Sequence, residues 1–148
     1  MKSFKPHLAR LAAYPYRKVE APIKLDQNES PYDLPPELKE RALERLRALP
    51  WNRYPDLHAE ELRARVARAQ GWPEDGVVLA PGSNFLVLAL AQAARQVVDT
   101  APSFAYYEGA AKVSGVPYRA LRLGEGFALP LQALLEAMGE PEGVLFLS

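Results

Sequence analysis

No cysteine occurs among the 148 residues, and only two histidines are present, His7 and His58. The first absence excludes disulfides, thiolate metal sites and a cysteine nucleophile, and it fits a reducing compartment. The two imidazoles stand far apart and form no helical pair. A histidine-based metal centre or a Ser-His-Asp triad therefore finds no support, and both residues read as surface histidines. Charge of one sign is lacking too, since 18 basic residues balance 18 acidic ones. No net field draws a polyanion and no basic block is interleaved with aromatics, so a nucleic-acid partner is not expected. No apolar run approaches the roughly 20 residues of a membrane helix. The opening MKSFKPHLARLAAYPYRK has no sustained apolar segment of the signal-peptide kind, so the chain reads as cytoplasmic with no membrane partner.

What is present is the balance of a globular domain, 49% hydrophobic and 24% charged. The first 36 residues hold six of the 14 prolines, which predicts an extended arm over residues 1–34 with a short helix near Leu8 to Ala13. Pro35-Pro36 suits a helix start, with Leu38, Ala42, Leu46 and Leu49 on one stripe and Pro50 as the stop. A second helix is predicted from Leu57 to Gln70, capped by Asp56 and closed by Gly71-Trp72-Pro73. Beyond it strands and helices alternate: GVVLA, Asn84 to Arg95, QVVDTA, Phe104 to Ser114, VPYRALRL, Leu129 to Met138 and GVLFLS. Short apolar strands between helices imply an α/β fold, a three-layer α/β/α sandwich around a mostly parallel sheet. The last apolar strand has no helix after it, so residues 35–148 read as an incomplete large α/β domain and the chain as cut short.

In open parallel sheets ligands bind beyond the C-terminal strand ends, where helix N-termini offer unpaired N–H groups and a positive dipole end. APGSN, at 80–84, has that arrangement. Gly82 lets backbone approach an anion, Ser83 suits the N-cap, and the amides of Ser83 and Asn84 would face a phosphate or carboxylate. The plainer alternative is that Ser83 only caps a core helix, which is apolar all round from Phe85 to Ala91 and so expected to be buried on several sides. The stretch is neither a P-loop nor a G-x-G-x-x-G turn. The next junction, DTAPSFAYY, sets Phe104 at the same edge and on the same side of the sheet, as a ring for a planar ligand or as a core aromatic.

Taken together, LDQNESPYD (25–33), NRYPD (52–56), APGSNFLVLAL (80–90) and APSFAYYEGAAKVSGVPYRALRL (101–123) resemble, in order and spacing, the N-terminal part of histidinol-phosphate aminotransferases. The resemblance implies the aspartate-aminotransferase fold, fold type I, and pyridoxal 5'-phosphate as cofactor. It also implies amino transfer from histidinol phosphate to 2-oxoglutarate in histidine biosynthesis, by a homodimer. By the same resemblance the amides of Ser83 and Asn84 hold the cofactor phosphate and Phe104 stacks on its ring. Tyr54 donates its hydroxyl to the phosphate across the dimer interface, and Asn28 and Tyr32 lie near the substrate. The family's Schiff-base lysine lies C-terminal to the point where this sequence stops, and neither Lys24 nor Lys112 matches it. The expectation is thus an aminotransferase segment without its catalytic lysine. The alternatives are another enzyme of this fold, such as a decarboxylase, and a non-catalytic module that binds a phosphorylated ligand or a partner subunit.

Overall fold

QVVDTA, with four consecutive buried residues, is the centre of the sheet, as a strand covered on both faces must be. In the computed structural model, which describes residues 5–11, 20–139 and 143–148, it forms β1, Gln96–Ala101. It pairs in parallel with β2, Tyr118–Arg122, on one side and β3, Gly143–Phe146, on the other, giving the order β2-β1-β3. Successive residues of β1 point to opposite faces. Val97 meets Ala91 of helix α3 (Ser83–Ala93) and Ala110 and Ala111 of α4 (Tyr106–Ser114), while Val98 meets Leu134 and Ala137 of α5 (Leu131–Met138). Helices therefore lie on both faces, the expected three layers. Alanines at the contact points let α3 and α4 come close to the strand, and α4 ends at Gly115, whose φ of +74° suits a left-handed cap.

Two expectations fail here. GVVLA is extended at Val77 but pairs with no strand among the described residues, and Val78 is 72% exposed. Apolar propensity favours extended backbone, but a strand also needs a neighbour to take its hydrogen bonds. Helix α3 is less covered than its all-round apolar sequence suggests, since Phe85 is 61% exposed and only Ala91 is buried. The sheet and α4 engage one side of it. At the other end of α4, a 3-10 turn over Pro6–Arg10 brings the half-buried His7 to the carbonyl of Val113, to which Nε2 donates at 3.2 Å. His7 is thus a tether and not a free surface group. Of the expected Leu8 to Ala13 helix, Ala12 and Ala13 lie outside the described residues.

These elements, residues 5–11 and 80 onward, make one compact unit, and residues 20–79 make a second. In the second, α1 spans Pro36–Ala48 between the two proline stops, and it buries none of its own residues. Helix α2 spans Glu60–Gln70, starting three residues later than the periodicity suggests. The cause is Asp56: its Oδ1 accepts from the His58 amide and its Oδ2 from the Glu60 amide, both at 3.0 Å, which holds Ala59 left-handed and delays the first turn. The C-terminus ends as the sequence predicts, with Gly71 at φ +61° and the Trp72 amide donating to Ala67 O at 2.9 Å.

The His58 and Glu60 amides hold the Asp56 carboxyl below its usual 3.8. Its contribution to stability is therefore complete above about pH 3.8 and lost as the pH falls through the lower folded value. Asp56→Ala is expected to speed amide exchange at His58 and Glu60 at neutral pH, and the difference from the parent is expected to vanish in acid.

Candidate functional site

The chain enters α3 through a turn that only glycine adopts readily. Gly82 sits at φ +95° and ψ +152°, its amide donates to Ala80 O at 2.7 Å, and a Cβ placed there would meet nothing within 4 Å. That glycine takes the N-cap position. Ser83 is then the first helical residue and its side chain makes no cap bond, contrary to the N-cap role expected of it. The next amides are still positioned as anticipated. Phe85 N turns back to Gly82 O at 3.3 Å, whereas Ser83 N and Asn84 N have no backbone acceptor among the described residues, and both residues are exposed. Two free amides at the positive end of an 11-residue helix are a ready anion site.

Because α3 runs straight into β1 through Ala94-Arg95, it descends against the strand, and its N-terminus lies at the edge where β1 ends. Helix α4 leaves from that edge through Pro102 to Ala105. Both helices pack on the Val97 face, so Phe104 and the Gly82 turn share one face and one edge of the sheet, as the sequence predicts. Phe104 is 42% exposed and so is not a core aromatic. Two tyrosines flank it: Tyr107 edge-on at 5.5 Å between ring centroids, and Tyr106 tilted at 6.0 Å.

Tyr54, Asn28 and Tyr32 belong to the second unit. Tyr54 lies between α1 and α2, is 92% exposed, and makes no hydrogen bond among the described residues. Its turn is fixed on either side by the Trp51 indole, which donates to Leu46 O at 2.7 Å, and by Asp56. Asn28 has a left-handed backbone, φ +52°, beside an ion pair of Lys24 with Glu29. Tyr32 is exposed, and its main chain is clamped by Ser30 Oγ, which accepts from Tyr32 N at 3.2 Å and donates to Tyr32 O at 2.9 Å.

A polar pair formed by a buried acid and a half-buried tyrosine escaped the sequence reading. Asp99, 1% exposed in the middle of β1, accepts from Thr100 N at 2.7 Å and from the Tyr118 hydroxyl at 3.1 Å. The available signal was an acid inside an otherwise apolar strand, which must find donors when buried. Burial first, and then the Asp99 charge, push the Tyr118 phenol up to about 12 from an ordinary 10.0. The neutral phenol's contribution is therefore complete below about pH 10 and is lost as the pH rises towards 12. Tyr118→Phe is expected to leave the carboxylate short of a donor and to cost about 1–3 kcal/mol, read as a lower denaturant midpoint. The gap from the parent is expected to narrow above pH 10.

The α/β/α unit has the fold of the pyridoxal-phosphate-dependent transferases of fold type I. The chain matches the crystal structure of the histidinol-phosphate aminotransferase from Clostridium acetobutylicum with a TM-score of 0.63 and 21% identity, over 72% of this chain and 32% of that one. In sequence the chain is similar to histidinol-phosphate aminotransferases. It is 47% identical over 131 residues to that of Deinococcus radiodurans, covering 86% of this chain and 36% of the relative. It is 37% identical over 142 residues to that of Aquifex aeolicus, covering 93% and 40%. The chain thus spans a little over a third of the length of these relatives. No protein-family model matches it. Among the described residues no helix is long and apolar enough to cross a membrane.

Proposed function

We propose that the polypeptide carrying this chain is a pyridoxal-phosphate-dependent aminotransferase that takes the amino group of histidinol phosphate and passes it to 2-oxoglutarate, as a cytoplasmic homodimer in histidine biosynthesis. The single observation that carries the reading is the turn at Gly82, which leaves the amides of Ser83 and Asn84 open at the strand-end edge shared with Phe104. The 47% identity to the Deinococcus radiodurans enzyme supports the choice of substrate.

The residues present fit the cofactor. An open space in front of Gly82 and two free amides suit a phosphate, and an exposed phenyl ring at the same edge suits a pyridine. Pyridoxal phosphate, when bound, supplies the electron sink that makes the Cα–H bond of the amino donor acidic. The residues of this chain bind and orient. Ser83 N and Asn84 N donate to the phosphate with the help of the α3 dipole, and Phe104 covers one face of the ring and keeps water from it. Tyr54 donates its hydroxyl to the phosphate from the partner subunit, and Asn28 and Tyr32 border the substrate.

On this reading residues 1–34 serve as the arm and 35–148 as the leading part of the cofactor-binding domain, although residues 5–11 pack with residues 80 onward instead of extending away from them. Of the described lysines, Lys24, Lys39 and Lys112 are ion-paired with Glu29, Asp33 and Glu108. By the family resemblance neither Lys24 nor Lys112 matches the Schiff-base position, so the lysine that moves the proton is expected elsewhere in the complete polypeptide. With pyridoxal phosphate, histidinol phosphate and 2-oxoglutarate, that polypeptide is expected to form glutamate, and residues 1–148 by themselves are expected to form none. Release of carbon dioxide from a phosphorylated amino acid without glutamate would replace this reading with a decarboxylase. Phosphate binding without turnover of either kind would replace it with a binding module.

A further inference from the structure

The candidate stacking ring does not stand alone. Tyr107 meets Phe104 edge to face, with centroids 5.5 Å apart and planes at 89°, and on its other side it lies flat on Phe146, at 4.5 Å and 6°. Phe146 is buried at 9% exposure in the cluster of Val97, Ala91, Ala110 and Ala111, and it sits opposite Asp99 in the sheet. The three rings therefore run from the core outward: Phe146 fixed by the sheet, Tyr107 stacked on it, and Phe104 braced at the surface. The backbone follows the same path, because Tyr107 N donates to Phe104 O at 3.1 Å and closes the turn that presents Phe104. A second tie joins the exits of β1 and β3, where Ser103 Oγ and Ser148 Oγ lie 3.0 Å apart.

From this geometry we propose that Tyr107 and Phe146 are positioning residues for the cofactor ring, setting the tilt of Phe104 through an aromatic column anchored on β3. The inference rests on the reading of Phe104 as the ring that faces the cofactor. An edge-to-face contact fixes orientation as well as distance, because the positive ring edge of one partner seeks the negative face of the other. Without Tyr107, Phe104 keeps its chain position and its tilted contact with Tyr106 but loses the edge-to-face contact that orients it. Tyr107→Phe retains the ring and so the column.

The test uses the complete polypeptide and two readouts other than turnover: the visible circular dichroism of bound pyridoxal phosphate and its dissociation constant. Tyr107→Leu is expected to change the dichroism and raise the dissociation constant roughly two- to tenfold, the range to which one aromatic pair corresponds. Tyr107→Phe is expected to restore both. Phe146→Leu, which keeps an apolar core side chain, is expected to act in the same direction as Tyr107→Leu. It provides a second route should Tyr107→Leu fail to fold. The control is Phe104→Leu, and in that background Tyr107→Leu is expected to add nothing further, since it acts through the missing ring. Additive effects of Tyr107→Leu and Phe104→Leu would overturn the column. An unchanged dichroism in Tyr107→Leu and Phe146→Leu while Phe104→Leu alters it would do so as well, leaving the stacking role of Phe104 intact. If Phe104→Leu changes neither readout, the stacking role itself falls and the column falls with it.

Discussion

Gly82→Ala is expected to raise the dissociation constant of pyridoxal phosphate in the complete polypeptide by at least tenfold, and Gly82→Val by more. A clash inside the chain is not the reason, because a Cβ at this position meets nothing within 4 Å. The reason is the backbone: at φ +95° and ψ +152° a residue with a Cβ carries about 1–3 kcal/mol of strain. The turn relieves that strain by rotating, and rotation swings the open amides of Ser83 and Asn84 away from the positions the Gly82 turn gives them. One or two lost charge-assisted hydrogen bonds correspond to a tenfold loss or greater. The measurement is an equilibrium titration of the apo form, with the denaturant midpoint followed in parallel to separate lost binding from lost fold. Wild-type affinity in both variants would remove the phosphate cup from this turn.

Tyr54→Phe is expected to weaken cofactor binding about tenfold while leaving the fold unchanged, since a hydroxyl on a charged phosphate is worth about 1.5–3 kcal/mol and the ring is retained. The hydroxyl is free to act in this way, being exposed and without a partner among the described residues. Whether it serves its own subunit or the other is decided by mixing Tyr54→Phe subunits with subunits lacking the catalytic lysine. If Tyr54 crosses the interface, each mixed dimer has one site carrying both lesions and one carrying neither. Purified mixed dimers then show about half the wild-type activity at low cofactor concentration. If Tyr54 serves its own subunit, every site carries one lesion and no intact site appears. Activity at the level of the damaged parents would therefore exclude the cross-subunit role.

The elements that were legible in the sequence are those whose signals are local. QVVDTA is the strand β1 to the residue, because an apolar run between a helix end and Pro102 leaves little choice. Gly71-Trp72 ends α2 as expected because a left-handed cap is written in adjacent residues. The presence of Gly82 announced an unusual turn, but not that glycine would occupy the N-cap and move Ser83 into the helix. That depends on a dihedral pair no residue type specifies alone. GVVLA lacks a partner strand among the described residues, which local propensity cannot supply. Asp99 with Tyr118, and Tyr107 with Phe146, were invisible for a related reason: each pair is joined by strand register or helix docking across many intervening residues. That Ser83, Asn84 and Phe104 share one edge was readable only because the βα connectivity sends successive junctions there.

The register of the sheet also sets an order in time. Val97 pairs with Tyr118, 21 positions on, and with Val144, 47 positions on. Closing the longer loop costs about 0.7 kcal/mol more in chain entropy, so β1 and β2 are expected to associate first and β3 to add to them. During synthesis the difference is reinforced, since β3 leaves the ribosome after α3, α4 and β2 are already available to fold. Phe146 is the last residue of that late strand. The amides at Gly82 are thus in place before the column behind Phe104 is complete. On the proposed reading of the site, a nascent chain would gain its grip on an anion first and its control over a ring second, with the arrival of β3 turning phosphate retention into oriented cofactor binding.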